Sequence, residues 1–300
     1  MIVIGSRGSQ LALWQARHIA AHLGSFGAET RIEIIKTTGD KITDVPLAQV
    51  GGKGLFTKEI EEALLAGTID LAVHSLKDMP TDLPAGLTLA AIPEREEPRD
   101  ALIGRPRSEL RPGAVVGTSS LRRSAQLYAL GLGITTKMLR GNVDTRLRKF
   151  DESEYDSIVL AAAGLRRLGW QDRIRELIPV EIMCPAVGQG ALAIETRDDH
   201  GPAHELVRRL EHWASRIAVT AERSLLATLG GGCQVPIGGH ATVDGQNVHL
   251  RAIVASPDGT RLIRAELSGA AADPAKLGEE VGRLLLDKGA REILNEVYAA

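Results

Sequence analysis

The chain has 300 residues, 44% of them hydrophobic and 25% charged, with a net charge of −2. That balance excludes a global basic field for nucleic acid or an anionic membrane, and an aromatic content of 3% is thin for a protein that stacks single-stranded bases. Two cysteines cannot form a disulfide framework, no apolar run reaches the roughly 18 residues of a membrane span, and MIVIGSRGSQ carries no basic-then-apolar leader, so a cytoplasmic protein is expected.

Short apolar runs alternate with helical patterns. IVIG (2–5) predicts a buried strand. Residues 9–23 place Leu11, Trp14, Ile19 and Leu23 at roughly helical spacing, with Ser9 as the N-cap. TRIEIIKT (30–37) predicts a strand. LFTKEIEEALLAG (55–67) predicts a helix with Phe56, Ile60, Ala63 and Leu64 on one face, stopped at Gly67. IDLAVHSL (69–76) predicts another strand. This rhythm argues for an α/β domain with a largely parallel sheet.

Residues 93–100, charged and flanked by prolines, predict a linker or hinge strand, after which the rhythm restarts. AVVGTSS leads into SLRRSAQLYALG, ITTKML into RGNVDTRLRKF, and SIVLAAAG into LRRLG. GQGALAIETR (188–197) predicts one more strand, where the chain crosses back. A helix pattern then runs through IAVTAERSLLATLG. Two hairpin turns, at Asp244-Gly245 and Asp258-Gly259, and a closing helix pattern over 274–297 complete an α+β domain. The expected division is 1–92 with 189–210, then 98–184, then 213–300.

Arginines and small hydroxyl residues recur where strands hand over to helices. They are Arg7 and Ser9; Thr118, Ser119, Ser120, Arg122 and Arg123; Arg140 and Arg146; Arg166 and Arg167. In an open α/β sheet that edge is the ligand crevice, and helix N-termini and guanidinium forks there suit carboxylate or phosphate. Any one of these arginines could be an ordinary surface residue in a weak ion pair. Taken together, in a nearly neutral chain, they point to a ligand with several negative charges. VGGKGLF (50–56) lacks the spacing of a phosphate loop but offers Lys53 on a glycine-rich segment. AVHSLKDMP (72–80) brings Ser75, Lys77 and Asp78 to the end of a strand. A carboxylate among so many cations either balances charge or handles protons.

Cys184 follows an apolar stretch and is expected to be buried packing. Cys233 sits in LGGGCQVPIGG (229–239) behind three glycines, with no histidine nearer downstream than His240. No His, Cys, Asp or Glu cluster has zinc spacing, so no metal is expected. His18 and His22 read as a helix face.

The segments VGGKGLFTKE, AVHSLKDMP, SLRRSAQL, LRGNVDTRL, PAVGQGALAIE and GGGCQVPIG together resemble the porphobilinogen deaminase (hydroxymethylbilane synthase) family. The resemblance covers most of residues 1–240. It implies two periplasmic-binding-protein-like α/β lobes with the active site between them, and a small C-terminal α+β domain. It implies a transferase that joins four porphobilinogens head to tail and releases ammonia. It also implies a dipyrromethane cofactor attached through a thioether to Cys233, an anchor that needs no catalytic base. On the same ground Asp78 matches the catalytic aspartate. Arg7, Ser9, Lys53, Phe56, Ser75, Lys77, Thr118, Ser119, Ser120, Arg122, Arg123, Arg140, Arg146, Arg167 and Gln189 fall on cofactor- or substrate-binding positions, with Phe56 expected to stack on a pyrrole. Gln49 and Asp144 depart from some members, which have lysine and glycine there. The family suggests a monomer, and the net charge and low aromatic content argue against a nucleic acid or membrane partner. A silent two-lobed receptor for a polyanion stays open, and Asp78 and Cys233 are the residues such a receptor would not need.

Overall fold

The computed structural model describes residues 1–41, 54–152, 155–231 and 235–299. The chain divides into two compact units, Met1–Glu96 with Ala191–Arg216, and Glu97–Gly190 with Ile217–Ala300.

The first unit is built on β1 (Ile2–Ser6), β2 (Thr30–Ile34), β3 (Leu71–Ser75), β4 (Leu87–Ala91) and, from the returning chain, β10 (Leu192–Arg197). Their order is β2-β1-β3-β10-β4. β1 runs parallel to β2 and β3, and β10 is antiparallel to both β3 and β4. Both faces are covered, so Leu71–His74 of β3 are buried in succession rather than alternately. Leu71 and Val73 pack with Ile4, Ile19, Leu23 and Ile194 under α1 (Gln10–Ser25). Ala72 faces the other way and packs with Ile60 and Leu64 of α2 (Lys58–Leu65).

The second unit holds β5 (Asp100–Gly104), β6 (Val115–Gly117), β7 (Thr135–Lys137), β8 (Ser157–Ala161) and β9 (Glu176–Leu177), in the order β7-β6-β8-β5-β9. The pattern of the first sheet repeats. Three strands are parallel, and the fourth position is taken by an antiparallel strand entering from the neighbouring stretch of chain. Helices α3 (Leu121–Tyr128), α4 (Val143–Asp151) and α5 (Ala162–Arg167) follow the parallel strands. Leu127 packs on one face with Val116 and Val159; Leu147 and Leu165 pack on the other with Ile158 and Leu160.

The same unit carries an antiparallel sheet of β11 (Ile237–Asp244), β12 (Asn247–Ala255) and β13 (Leu262–Ala270). Its core is shared with α7 (Trp213–Thr228), α8 (Pro274–Leu285) and α9 (Arg291–Ala299). Helix α6 (Pro202–Val207) lies between β10 and α7 in the chain. A Cβ built on Gly278 would stand 2.2 Å from the Ala221 carbonyl oxygen, so α8 and α7 touch backbone to backbone. Gly278→Ala is expected to lower stability by about 1–3 kcal/mol through overpacking, read by urea unfolding. An unchanged midpoint would mean the helices do not pack this closely.

The predicted α/β lobes and the α+β C-terminal part are present, with several corrections. The buried face of α1 is Gln15, Ala16, Ile19 and Leu23; Leu11 and Trp14 only flank it. Helix α2 starts at Lys58, so Phe56 lies in the preceding turn. Strands β4 and β5 were not expected, and the supposed linker ends inside β5 at Asp100. Ala162–Gly164 belong to α5 rather than to a strand. In the first hairpin Asp244 pairs with Asn247, which makes Gly245-Gln246 the loop. Gly289, at φ 99°, separates α8 from α9.

Candidate functional site

In the first unit, neighbouring parallel strands deliver two groups of side chains to one sheet edge. β1 hands over to Arg7 and Ser9, and β3 to Ser75, Lys77 and Asp78. Leu76–Asp78 form a single tight turn, with Leu76 buried beneath it. Asp78 is exposed and makes no hydrogen bond or ion pair among the described residues. A carboxylate held at a strand end without a partner is available to a ligand.

The serines there have structural work. Ser9 caps α1 by accepting from the Ala12 amide at 3.2 Å. Ser75 accepts from Gln15 Nε2 at 2.9 Å. The Arg7 guanidinium lies 4.1 Å from the centre of the Phe56 ring, and a Cβ on Gly39 would strike that ring. Phe56 thus makes a cation–π pair with Arg7 and packs against Gly39. Lys53 and Gln49 lie outside the described residues.

In the second unit, β6 leads to Thr118, Ser119 and Ser120, β7 to Arg140, and β8 to Arg167 on α5. Ser119 Oγ donates to the Leu139 carbonyl at 2.9 Å and accepts from the Leu139 amide at 3.0 Å, so its hydroxyl ties the two outgoing loops together. Thr118 Oγ1 accepts from the Ser120 amide at 3.2 Å. The Ser120 hydroxyl makes no capping bond at the start of α3. Arg140 stands out: its Nη1 is buried and has no acceptor among the described residues. A buried, unpartnered guanidinium nitrogen costs free energy unless an acceptor arrives. Arg146 Nε donates to the Gly141 carbonyl at 2.8 Å, and Arg167 Nη2 to the Gly190 carbonyl at 2.7 Å. Asp144 sits in the first turn of α4, where a negative charge suits the helix end.

The sequence reading missed the residue that organises this edge. β5 is antiparallel to β8 with Asp100 opposite Ala161, which places Asp100 beside the carboxyl end of β8. Its fully buried carboxylate receives Arg122 Nη1 at 2.7 Å on Oδ2, and Arg123 Nε and Nη2 at 2.9 and 2.7 Å on Oδ1. Gln189 Nε2 adds a bond at 3.0 Å. Arg122 also donates to the Cys184 carbonyl, and Arg123 to the Val159 carbonyl. Burial alone would raise the Asp100 pKa; the two guanidinium groups outweigh it and hold the carboxyl well below the usual range. Arg122, Arg123 and Gln189 thus have an internal partner. One carboxylate against two guanidinium groups still leaves one positive charge. The only sequence signal for Asp100 was a lone acid opening the apolar run ALIG.

Cys184 is the packing cysteine expected. It is fully buried with Ala125, Ile253 and Ala255, and burial pushes its thiol up to about 12, so it is no nucleophile. Cys233 lies outside the described residues. No described helix is long and apolar enough to cross a membrane.

The donor set suits a bound group rich in carboxylates, as a dipyrromethane with acetate and propionate arms would be. Arg140 Nη1 is the buried donor that such an arm would satisfy. Comparison with known proteins agrees. Residues 2–205 match the family model described as "Porphobilinogen deaminase, dipyromethane cofactor binding domain", and residues 216–287 match "Porphobilinogen deaminase, C-terminal domain". A porphobilinogen deaminase of Syntrophobacter fumaroxidans is 52% identical over 305 residues, covering 100% of this chain and 99% of that protein. One of Geobacter sulfurreducens is 51% identical over 299 residues, covering 98% and 94%. Among solved structures, a periplasmic substrate-binding protein of an ABC transporter from Coxiella burnetii has a TM-score of 0.44 at 11% identity, covering 74% of this chain and 97% of that one. Two family models that together take in nearly the whole chain, and relatives at half identity end to end, leave one assignment: the chain belongs to the porphobilinogen deaminase family.

Proposed function

We propose that Asp78, Cys233 and the arginine set divide between them the work of a transferase that condenses four porphobilinogens head to tail into hydroxymethylbilane, with loss of ammonia. The observation that carries the site assignment is the buried, unpartnered Arg140 Nη1 on a sheet edge already rich in guanidinium groups. A silent receptor would have no use for the unpaired carboxylate of Asp78.

The dipyrromethane, when bound, supplies the primer on which the chain of pyrroles grows. Arg140 and Ser120 hold carboxylate arms by donating N–H and O–H bonds, and Arg122 and Arg123 offer the charge that Asp100 leaves over. Arg7, Lys53, Lys77, Arg146 and Arg167 are the further cations assigned to the ligand's carboxylates. As ammonia leaves porphobilinogen, positive charge develops on the pyrrole ring. The Asp78 carboxylate stabilises that charge and takes the proton released when a new ring junction is made. Cys233 anchors the primer through its Sγ.

The division into 1–92 with 189–210, 98–184, and 213–300 fits this allocation. Asp78 belongs to the first domain, the arginine cluster to the second and Cys233 to the third. A cytoplasmic monomer without nucleic-acid partners is the setting we infer. Cys233→Ser is expected to abolish the covalent adduct, read as intact mass under denaturing conditions with a peptide map. Wild-type protein should carry the mass of two linked pyrroles on the Cys233 peptide. A pyrrole adduct persisting in the variant would move the anchor elsewhere.

A further inference from the structure

One cluster of potential metal ligands in the first unit takes no part in the reaction. The end of β10 and the start of α6 bring His200, His204 and Glu205 together, with one ligating atom from each within 4.8 Å of the others. The rings of His200 and His204 meet edge to face at 5.0 Å. His200 Nδ1 lies 3.8 Å from Glu205 Oε1.

The hydrogen bonds behind the cluster decide what His204 can do. Thr196 is buried, and its hydroxyl donates to the Arg197 carbonyl at 2.9 Å. A hydroxyl has one hydrogen. The 3.0 Å contact between Thr196 Oγ1 and His204 Nδ1 therefore has Nδ1–H as the donor. With Nδ1 engaged in that bond, Nε2 is the nitrogen left to offer a lone pair to a ligand. A ring held by a hydrogen bond through one nitrogen, with the other free, is the arrangement a metal-binding histidine requires.

We propose that His204 Nε2, His200 and Glu205 form a site for a borderline divalent metal, zinc above all, with water completing four-coordination. Two imidazoles and a carboxylate are zinc's ordinary donors, at about 2.0–2.2 Å. Ligand atoms around such an ion stand about 3.4 Å apart by that geometry. The set must close by an ångström or so, which the exposed side chains of His200 and Glu205 can do while His204 stays fixed. The competing groups are few. Arg208 Nη1 lies 3.7 Å from Glu205 Oε1 and must give way. The Asp199 carboxylate is already taken by the Gly201 amide and Arg197 Nε. The ion would fasten the head of α6 to the loop that leaves β10.

The test is calorimetric titration of zinc chloride into the chelator-stripped, cofactor-bearing full chain. One zinc per chain is expected. His200→Asn keeps a residue that tolerates the left-handed backbone there (φ 51°) and should weaken binding about tenfold or more, as should Glu205→Gln. Thr196→Val, which removes only the partner of Nδ1, should cost about ten- to a hundredfold. The double variant His18→Gln, His22→Gln should leave the affinity unchanged. No zinc uptake by the wild-type chain overturns the site. So does an affinity that survives His200→Asn, or one lost on changing His18 and His22. His200 and Glu205 are exposed, so those variants answer even if a change at buried Thr196 impairs folding.

Discussion

Asp78→Asn is expected to leave a folded protein that turns porphobilinogen over about a hundred- to ten-thousandfold more slowly. Asp78 is exposed on a one-turn helix and touches no described partner, so the change costs the fold little. What it removes is the charge and the proton acceptor. Asparagine keeps the shape of the side chain, yet it neither stabilises a pyrrole cation nor takes up a proton. The arginines that bind carboxylate arms are untouched, so substrate affinity should change far less than turnover. Ammonia release and tetrapyrrole formation give the rate, and circular dichroism gives the folded state. A variant within about threefold of wild type would remove Asp78 from the chemistry, since general acid–base groups contribute far more than that.

Local signals were the legible ones. Ser9 reads as a cap because Ser before an apolar helix run has a backbone-level job, and it does that job here. The carboxyl ends of β1, β3, β6, β7 and β8 could be located from apolar runs followed by Arg, Ser and Thr, because the chain order of an α/β sheet decides which loops share an edge. Pairing across the chain was not legible. Asp100 is 22 and 23 residues from its two arginines and 89 from Gln189, and nothing in single-sequence periodicity links them. A charged, proline-flanked stretch looks like a solvated linker until the fold buries one acid of it. The same holds for Phe56 and Arg7, which meet through their turns rather than through any helix period. Nothing local marks His200, His204 and Glu205 as one cluster, and Thr196, which holds the His204 ring through Nδ1, belongs to a strand.

Asp100→Ala should be the most damaging single change for stability, by about 3–5 kcal/mol, because it leaves two buried guanidinium groups without their acceptor. The loss exceeds the net value of the pairs themselves. Desolvation of Arg122 and Arg123 is already incurred in the fold, and water cannot reach them freely to replace the carboxylate. Asp100→Asn keeps an oxygen acceptor and should cost less, though the charge compensation goes with it. Urea unfolding at pH 7 measures both. The pH dependence follows from the sign of the shift. The folded Asp100 carboxyl titrates well below its unfolded value of about 3.9, so its contribution is fully present above that value and is lost as pH falls below it. The stability difference between wild type and Asp100→Asn should therefore hold from neutrality down to about pH 5 and shrink in stronger acid. Equal stability of wild type and Asp100→Ala at pH 7, within about 0.5 kcal/mol, would mean that Arg122 and Arg123 do not depend on this carboxylate. Should Asp100→Ala fail to fold, the acid arm of the Asn variant still decides, because only a buried, ion-paired carboxylate with a depressed pKa produces that convergence.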